Sequence, residues 1–212
     1  MGVLQDPECA RQWFTHLSPV YEPVVTTAFW PRSLQREILD MVDIGGEDHV
    51  LDVGCGSGVT TELLARRAGV VDALDLSSPQ LRRARTKQYD VPTRFVRGDA
   101  EHLPYVDDTF DVTVAVGAIP YFPNPTVALA ECHRVTHPGG QIVVAGLNAP
   151  SVLSLHPFEQ WIATAGSVYY ATYDETEADQ LFEDAGWTNV ESCITGPEWC
   201  PRLAVVTTAE KS

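Results

Sequence analysis

Lysine is nearly missing from this chain. Of its 14 basic residues only Lys87 and Lys211 are lysines, against 29 aspartates and glutamates, so the formal net charge is −15. Nucleic-acid backbones, which demand a basic surface, are therefore excluded as partners. Long apolar runs are missing too. No stretch of about 18 apolar residues could span a bilayer, and the opening MGVLQDPECARQW has neither the basic nor the apolar region of a signal peptide. A cytoplasmic location with at most peripheral membrane contact is expected. The five cysteines, Cys9, Cys55, Cys132, Cys193 and Cys200, form no CxxC pair. Their odd count points to reduced thiols. No cluster of His, Cys and Asp shows metal-ligand spacing, so no metal is expected.

What the chain does have is a core and a rhythm. Its 212 residues, 44% of them hydrophobic, suit one domain with a full interior. Prolines at 7, 19, 23 and 31 break the first apolar segment into short helices, read with residues 33–44 as an N-terminal lid over 1–44. SLQREILDMV is expected to be a helix ended by Gly45 and Gly46. Strand patterns then alternate with helical ones: HVLDVG, VVDALDLS, TRFVRGDA, FDVTVAVGAI and GGQIVVAGL are separated by ELLARRA, SPQLRRARTKQ and TVALAECHRV. Such alternation is the signature of βαβ units on a parallel sheet. Residues 45–148 form this core, 149–175 an aromatic insertion expected to cover the site, and 176–212 a helix followed by two strands with no helix between them, hence antiparallel.

The stretch VLDVGCGSGVTTELL runs a strand into Gly54, Gly56 and Gly58 and then into a helix. Glycine lets backbone approach a ligand closely. A dinucleotide fingerprint needs GxGxxG, whereas this turn is GxGxG with Val59 where the third glycine would fall; a P-loop needs a lysine that is not there. Asp52 just before the turn suits a ligand with an ammonium group. Asp75 closes the second strand, where a carboxylate can accept from two ribose hydroxyls. Asp99 in GDAEHLPY closes the third, placed to accept from an adenine amino group. Three carboxylates at successive strand ends describe a cationic adenosine ligand.

In order and spacing, VLDVGCGSG, LDLS, GDAEHLP, DDTFDVTVAV and HRVTHPGGQIVV resemble class I S-adenosylmethionine-dependent methyltransferases of the type 11 group. The resemblance implies an α/β, Rossmann-like seven-stranded sheet with an antiparallel last strand and a helical N-terminal lid. It implies S-adenosyl-L-methionine as cofactor. Gly54, Gly56 and Gly58 would lie against its methionine part, Asp75 hold the ribose, Leu76 pack on adenine, Asp99 and Ala100 face the adenine edge, Gly117 meet the amino group, and Tyr21 close over it. The dispersed acidic surface is similar to that of halophile proteins.

The acceptor is narrowed by HLSPVYEPVVTTAFW, VGAIPYFPNP and ITGPEWCPRLAVV, which together resemble the 2-methyl-6-polyprenyl-benzoquinol methyltransferases and, more loosely, the menaquinone and ubiquinone C-methyltransferases. A prenylated hydroquinone, methylated on a ring carbon, is the small-molecule acceptor so implied. Two alternatives stay open: another phenolic or amine metabolite, or a subunit that binds the donor without using it. In-line methyl transfer mainly needs alignment and exclusion of water, with a base if the nucleophile must lose a proton. Tyr121, after the fourth strand, is the first candidate contact; His156 and Asp174 are candidate bases, Asp174 with a helix cap as its other reading. His102, His133 and His137 are read as surface or packing residues.

Overall fold

The computed structural model describes residues 30–148, 173–198 and 201–212. Helix α1 (Arg32–Leu39) leads into β1 (His49–Val53), α2 (Val59–Leu64), β2 (Val70–Asp75), α3 (Ser78–Ala84), β3 (Thr93–Arg97) and β4 (Phe110–Val116). A short 3-10 turn (Ile119–Tyr121) precedes α4 (Pro125–Val135), β5 (Thr136–Leu147), α5 (Glu175–Asp184), β6 (Thr188–Thr195) and β7 (Ala204–Glu210).

All seven strands form one sheet in the order β3-β2-β1-β4-β5-β7-β6. The pairs from β3 through β5 are parallel. Strand β7 runs antiparallel to both β5 and β6, so the helix-free ending closes as the sequence pattern predicts. Alternate residues of the inner strands feed two interiors. Leu51, Val53, Ile142 and Val144 belong to one, packed with Leu129 and Phe182; Val50, Val143 and Ala145 belong to the other, packed with Leu34, Ile38, Leu63 and Leu64. A parallel sheet covered on both faces explains the near-continuous apolar runs of β1, β2 and β4.

Several boundaries differ from the sequence reading by a few residues, and three of them have a visible local cause. Helix α1 ends at Leu39, well before Gly45: the Asp40 N–H still bonds to the Arg36 and Glu37 carbonyls, but the Met41 N–H turns to the Ile38 carbonyl three residues back, and the Asp40 carboxylate at the helix C-terminus opposes the helix dipole. The Asp43 N–H then donates to Gln141 instead, at 2.9 Å. The cap of α3 is Ser77, one residue earlier than its Ser-Pro start suggests. Strand β5 starts at Thr136, with a register shift against β4 that takes up the residues before Gln141.

Strand order reverses between β1 and β4, and in open α/β sheets the ligand crevice lies beyond the carboxyl ends at such a point. Among the described residues no helix is long and apolar enough to cross a membrane, and no group of three or more His, Cys, Asp or Glu is placed to hold a metal ion.

Candidate donor site at the strand ends

The glycine turn leaves β1 and is tied at once to its neighbour. Gly54 N–H and Cys55 N–H both donate to the Leu74 carbonyl, at 2.8 and 3.0 Å. Gly56 N–H donates to Asp75 Oδ2 at 2.8 Å, and Gly58 N–H to the Cys55 carbonyl at 2.9 Å. The three glycines have φ of 73°, 54° and 81°, all in the left-handed region that favours glycine. Their surroundings differ. A Cβ on Gly54 would collide with the Ala118 methyl, and one on Gly58 would lie 2.5 Å from the Tyr89 hydroxyl and 3.1 Å from the Ala84 methyl. Among the described residues, a Cβ on Gly56 would meet nothing within 4 Å. Two of the glycines thus let protein pack on protein, and among the described residues only Gly56 leaves open space above the turn.

Asp75 stands beside that space. Its two oxygens accept from Gly56 N–H and from Ser77 N–H at 2.7 Å, and burial raises its pKa despite those two bonds. A carboxylate has about four acceptor positions, so two hydroxyl donors can still be received. Asp99, following β3, accepts from Glu101 N–H at 3.0 Å, and Ala100 beside it is buried. Leu76 is half-buried next to Asp75, its carbonyl held by Arg97 Nε at 3.2 Å. Gly117 follows β4, its N–H donating to the Ala145 carbonyl at 2.8 Å, and the side of it that a Cβ would occupy faces the Trp30 indole. The turn, Asp75, Leu76, Asp99, Ala100 and Gly117 therefore line the carboxyl ends of four adjacent strands, β3-β2-β1-β4.

Asp52 sits differently from the sequence expectation. It is 1% exposed, beneath the turn, and accepts from the Thr61 hydroxyl at 2.6 Å. Burial pushes its pKa up to about 7; the Thr61 bond opposes the rise and the charge of Asp75 adds to it. Its influence on a cation in the crevice would be through charge rather than contact. Cys55, within the turn, is buried, and burial together with the nearby Asp75 and Asp52 raises its thiol pKa far from the reactive range.

Of the acceptor-side candidates, Tyr121 is half-buried at the end of the 3-10 turn that follows β4, its N–H bonded to the Ala118 carbonyl. Asp174 is exposed and caps α5: it accepts from Glu177 N–H at 2.9 Å while Glu177 returns a bond to Asp174 N–H at 3.0 Å, a reciprocal capping box. Its carboxylate is engaged in that cap, as its second reading allowed. Tyr21 and His156 lie outside the described residues. His133 packs edge-on against Trp187, with ring centroids 5.1 Å apart. The sequence reading did not single out Trp30, Gln35, Thr60 or Thr61 as site residues; a glutamine between the buried Leu34 and Ile38 of α1 was the available signal.

This sheet with its glycine turn and carboxylate-lined strand ends is a class I methyltransferase fold. The family described as "Methyltransferase domain" matches residues 51–144. Over 205 residues the chain is 30% identical to a demethylmenaquinone methyltransferase of Paenarthrobacter aurescens, covering 87% of this chain and 80% of that protein. It is also 30% identical over 200 residues to the chloroplastic 2-methyl-6-phytyl-1,4-hydroquinone methyltransferase of Arabidopsis thaliana, covering 92% of this chain and 57% of that protein. The chain thus spans little more than half the length of such plant relatives. Among solved structures, Haemonchus contortus phosphoethanolamine N-methyltransferase 2 in complex with S-adenosyl-L-methionine superposes with a TM-score of 0.76 at 13% identity, covering 95% of this chain and 59% of that one. The chain belongs to the S-adenosylmethionine-dependent methyltransferase family.

Proposed function

We propose that the protein transfers a methyl group from S-adenosyl-L-methionine to a ring carbon of a prenylated hydroquinone. The observation that carries the donor half is the open space over Gly56 with Asp75 beside it: a cradle that any side chain would fill, adjoining a carboxylate with acceptor capacity to spare. The residues present fit the donor. When bound, it supplies an electrophilic methyl on sulfur. Asp75 accepts from the ribose hydroxyls, Asp99 and Ala100 meet the adenine edge, Leu76 packs on its face, and the backbone at Gly117 meets the amino group. Asp52, when ionised, adds negative charge from below. On the acceptor side Tyr121 orients the hydroxyl whose ionisation pushes electron density onto the attacked carbon; that carbon gains the methyl and loses its proton. The naming of the relatives after quinol and quinone rings supports this acceptor class. The surplus of carboxylates supports a cytoplasmic protein adapted to molar salt.

The test is incubation with methyl-labelled donor and either reduced or oxidised demethylmenaquinone and methyl-polyprenyl-benzoquinol, with mass spectrometry to locate the new methyl. Ring methylation of the reduced forms only is expected, since the oxidised quinone has no hydroxyl to ionise. An O-methyl or N-methyl product from another metabolite, with quinols inert, would overturn the acceptor. Donor binding without any product would favour a non-catalytic subunit.

A further inference from the structure

Gln35 is 2% exposed on a helix whose other buried residues are Leu34, Ile38 and Leu39. An amide placed there loses its hydration and needs both ends of its side chain bonded. Both are. Its Nε2 donates to the Trp30 carbonyl at 2.7 Å, and its Oε1 accepts from the Thr60 hydroxyl at 2.8 Å. Each partner belongs to a different wall of the crevice. Trp30 is buried against Gly117 at the end of β4, so close that a Cβ on that glycine would lie 2.9 Å from the indole nitrogen. Thr60 is the second residue of α2, just past the glycine turn, and its neighbour Thr61 holds Asp52. A leucine at position 35 would fill an apolar helix face without these bonds, so the amide's contribution is the connection it makes.

We propose that Gln35 is a positioning residue that sets the spacing between the glycine turn and the end of β4, by holding Trp30 against Gly117 and Thr60 at the head of α2 through one side chain. This rests on the reading of the turn as the donor site. Because donor and product share their adenosine and amino-acid parts, loss of the strut weakens binding of either. It also releases Trp30 from Gly117, which gives the connection a spectroscopic readout independent of turnover.

The test uses the full chain and S-adenosylhomocysteine as probe. Binding is followed by calorimetry and by intrinsic fluorescence, with Trp30→Phe subtracted so that the Trp30 signal is isolated from the other four tryptophans. In the unmodified protein the probe should bind and change Trp30 emission. Gln35→Met, close to isosteric but unable to make either bond, should shift Trp30 emission before any probe is added and weaken binding about 5- to 20-fold. Thr60→Val should weaken binding to a similar extent from the opposite end of the strut, and Thr60→Ser, which keeps the hydroxyl, should stay within about twofold of the unmodified protein. Melting temperature is recorded for each variant. If Gln35→Met does not fold, the Thr60 pair decides the matter. Variants that melt lower yet bind the probe normally and leave Trp30 emission unchanged would show a purely structural glutamine and overturn the proposal. No binding to the unmodified protein would instead overturn the donor-site reading beneath it.

Discussion

Replacing each turn glycine in turn by alanine separates the part of the turn that packs from the part that binds. At Gly56 the new methyl has nothing within 4 Å among the described residues, so the folded state bears only the left-handed backbone penalty at φ 54°, about 1–2 kcal/mol. For a chain of this size that is a melting shift of roughly 2–8 °C. At Gly58 the same penalty is joined by a methyl 2.5 Å from the Tyr89 hydroxyl, whose own bond to the Ala84 carbonyl at 2.8 Å must then yield. Overpacking of about 1–3 kcal/mol and a lost hydrogen bond of about 1 kcal/mol bring the sum to about 3–6 kcal/mol. Gly54→Ala belongs with Gly58→Ala, because the Ala118 methyl it meets is attached directly to backbone and has no rotamer to escape into. Binding should rank the other way for the variants that fold: the methyl at Gly56 occupies the open space, and S-adenosylhomocysteine affinity should fall at least tenfold, about 1.4 kcal/mol. Urea titration and calorimetry on the same preparations measure both quantities. Gly56→Ala that binds like the unmodified protein would place the donor elsewhere, and Gly56→Ala as unstable as Gly58→Ala would refute the packing argument.

Other expectations follow from the same geometry. If Asp75 accepts from the ribose as proposed, Asp75→Ala removes charge-assisted bonds and should lower S-adenosylhomocysteine affinity about 10- to 150-fold, or about 1.5–3 kcal/mol, by calorimetry; unchanged affinity would sink the assignment. Asp52 is raised in the folded state from its ordinary 3.8 to about 7, so its ionised form is penalised by folding. That penalty is absent below about pH 4, grows between pH 4 and 7 and is complete above it; the stability of Asp52→Asn relative to the unmodified protein should therefore increase over this window, by up to about 4 kcal/mol in urea titrations, and parallel pH curves would contradict it. Tyr121→Phe should reduce turnover or acceptor affinity while S-adenosylhomocysteine affinity stays within about 0.5 kcal/mol, and an equal loss of both would move Tyr121 to the donor side. Repulsion among the dispersed carboxylates should be screened by salt, since the Debye length falls from about 30 Å at 0.01 M to about 3 Å at 1 M; the melting temperature should rise with KCl, and a flat response would remove the salt-adapted reading.

The parts of the fold that were legible in the sequence are those fixed by short-range chemistry. A continuous apolar run ending in GxGxG can be read because the left-handed turn tolerates little but glycine, and a carboxylate at the end of the next strand falls beside that turn in a parallel sheet. Asp52 shows the limit. Its place at the end of β1 was visible, but β1 is buried on both faces, and an apolar run without alternation does not say which face a residue takes. Only the observed packing of Val50 toward α2 shows that Asp52, two residues on and therefore on the same face, must point at Thr61 and not out of the turn.

The same distinction explains why the donor half of the site is better defined than the acceptor half. Of the proposed donor residues, Gly54, Asp75, Leu76, Asp99 and Gly117 lie within two positions of strand ends, so the sheet register that places one also places its neighbours: pairing of Val53 with Leu74 and of Asp75 with Arg97 brings Gly54, Asp75 and Asp99 to one edge with no further information. Nothing comparable constrains an acceptor contact. Tyr121 follows β4 by a turn whose geometry depends on Ala118 and Ile119 packing into the core, and Asp174 sits where helix capping alone accounts for its bonds. Gln35 occupies the middle ground. Its identity breaks an apolar stripe and so signals a buried polar connection; one partner, the Trp30 carbonyl, is local, but the other, Thr60, 25 residues away, is chosen by how α1 docks on α2, which no local pattern encodes. Sheet register specifies where the proposed donor crevice lies, while helix docking and loop packing specify what borders it.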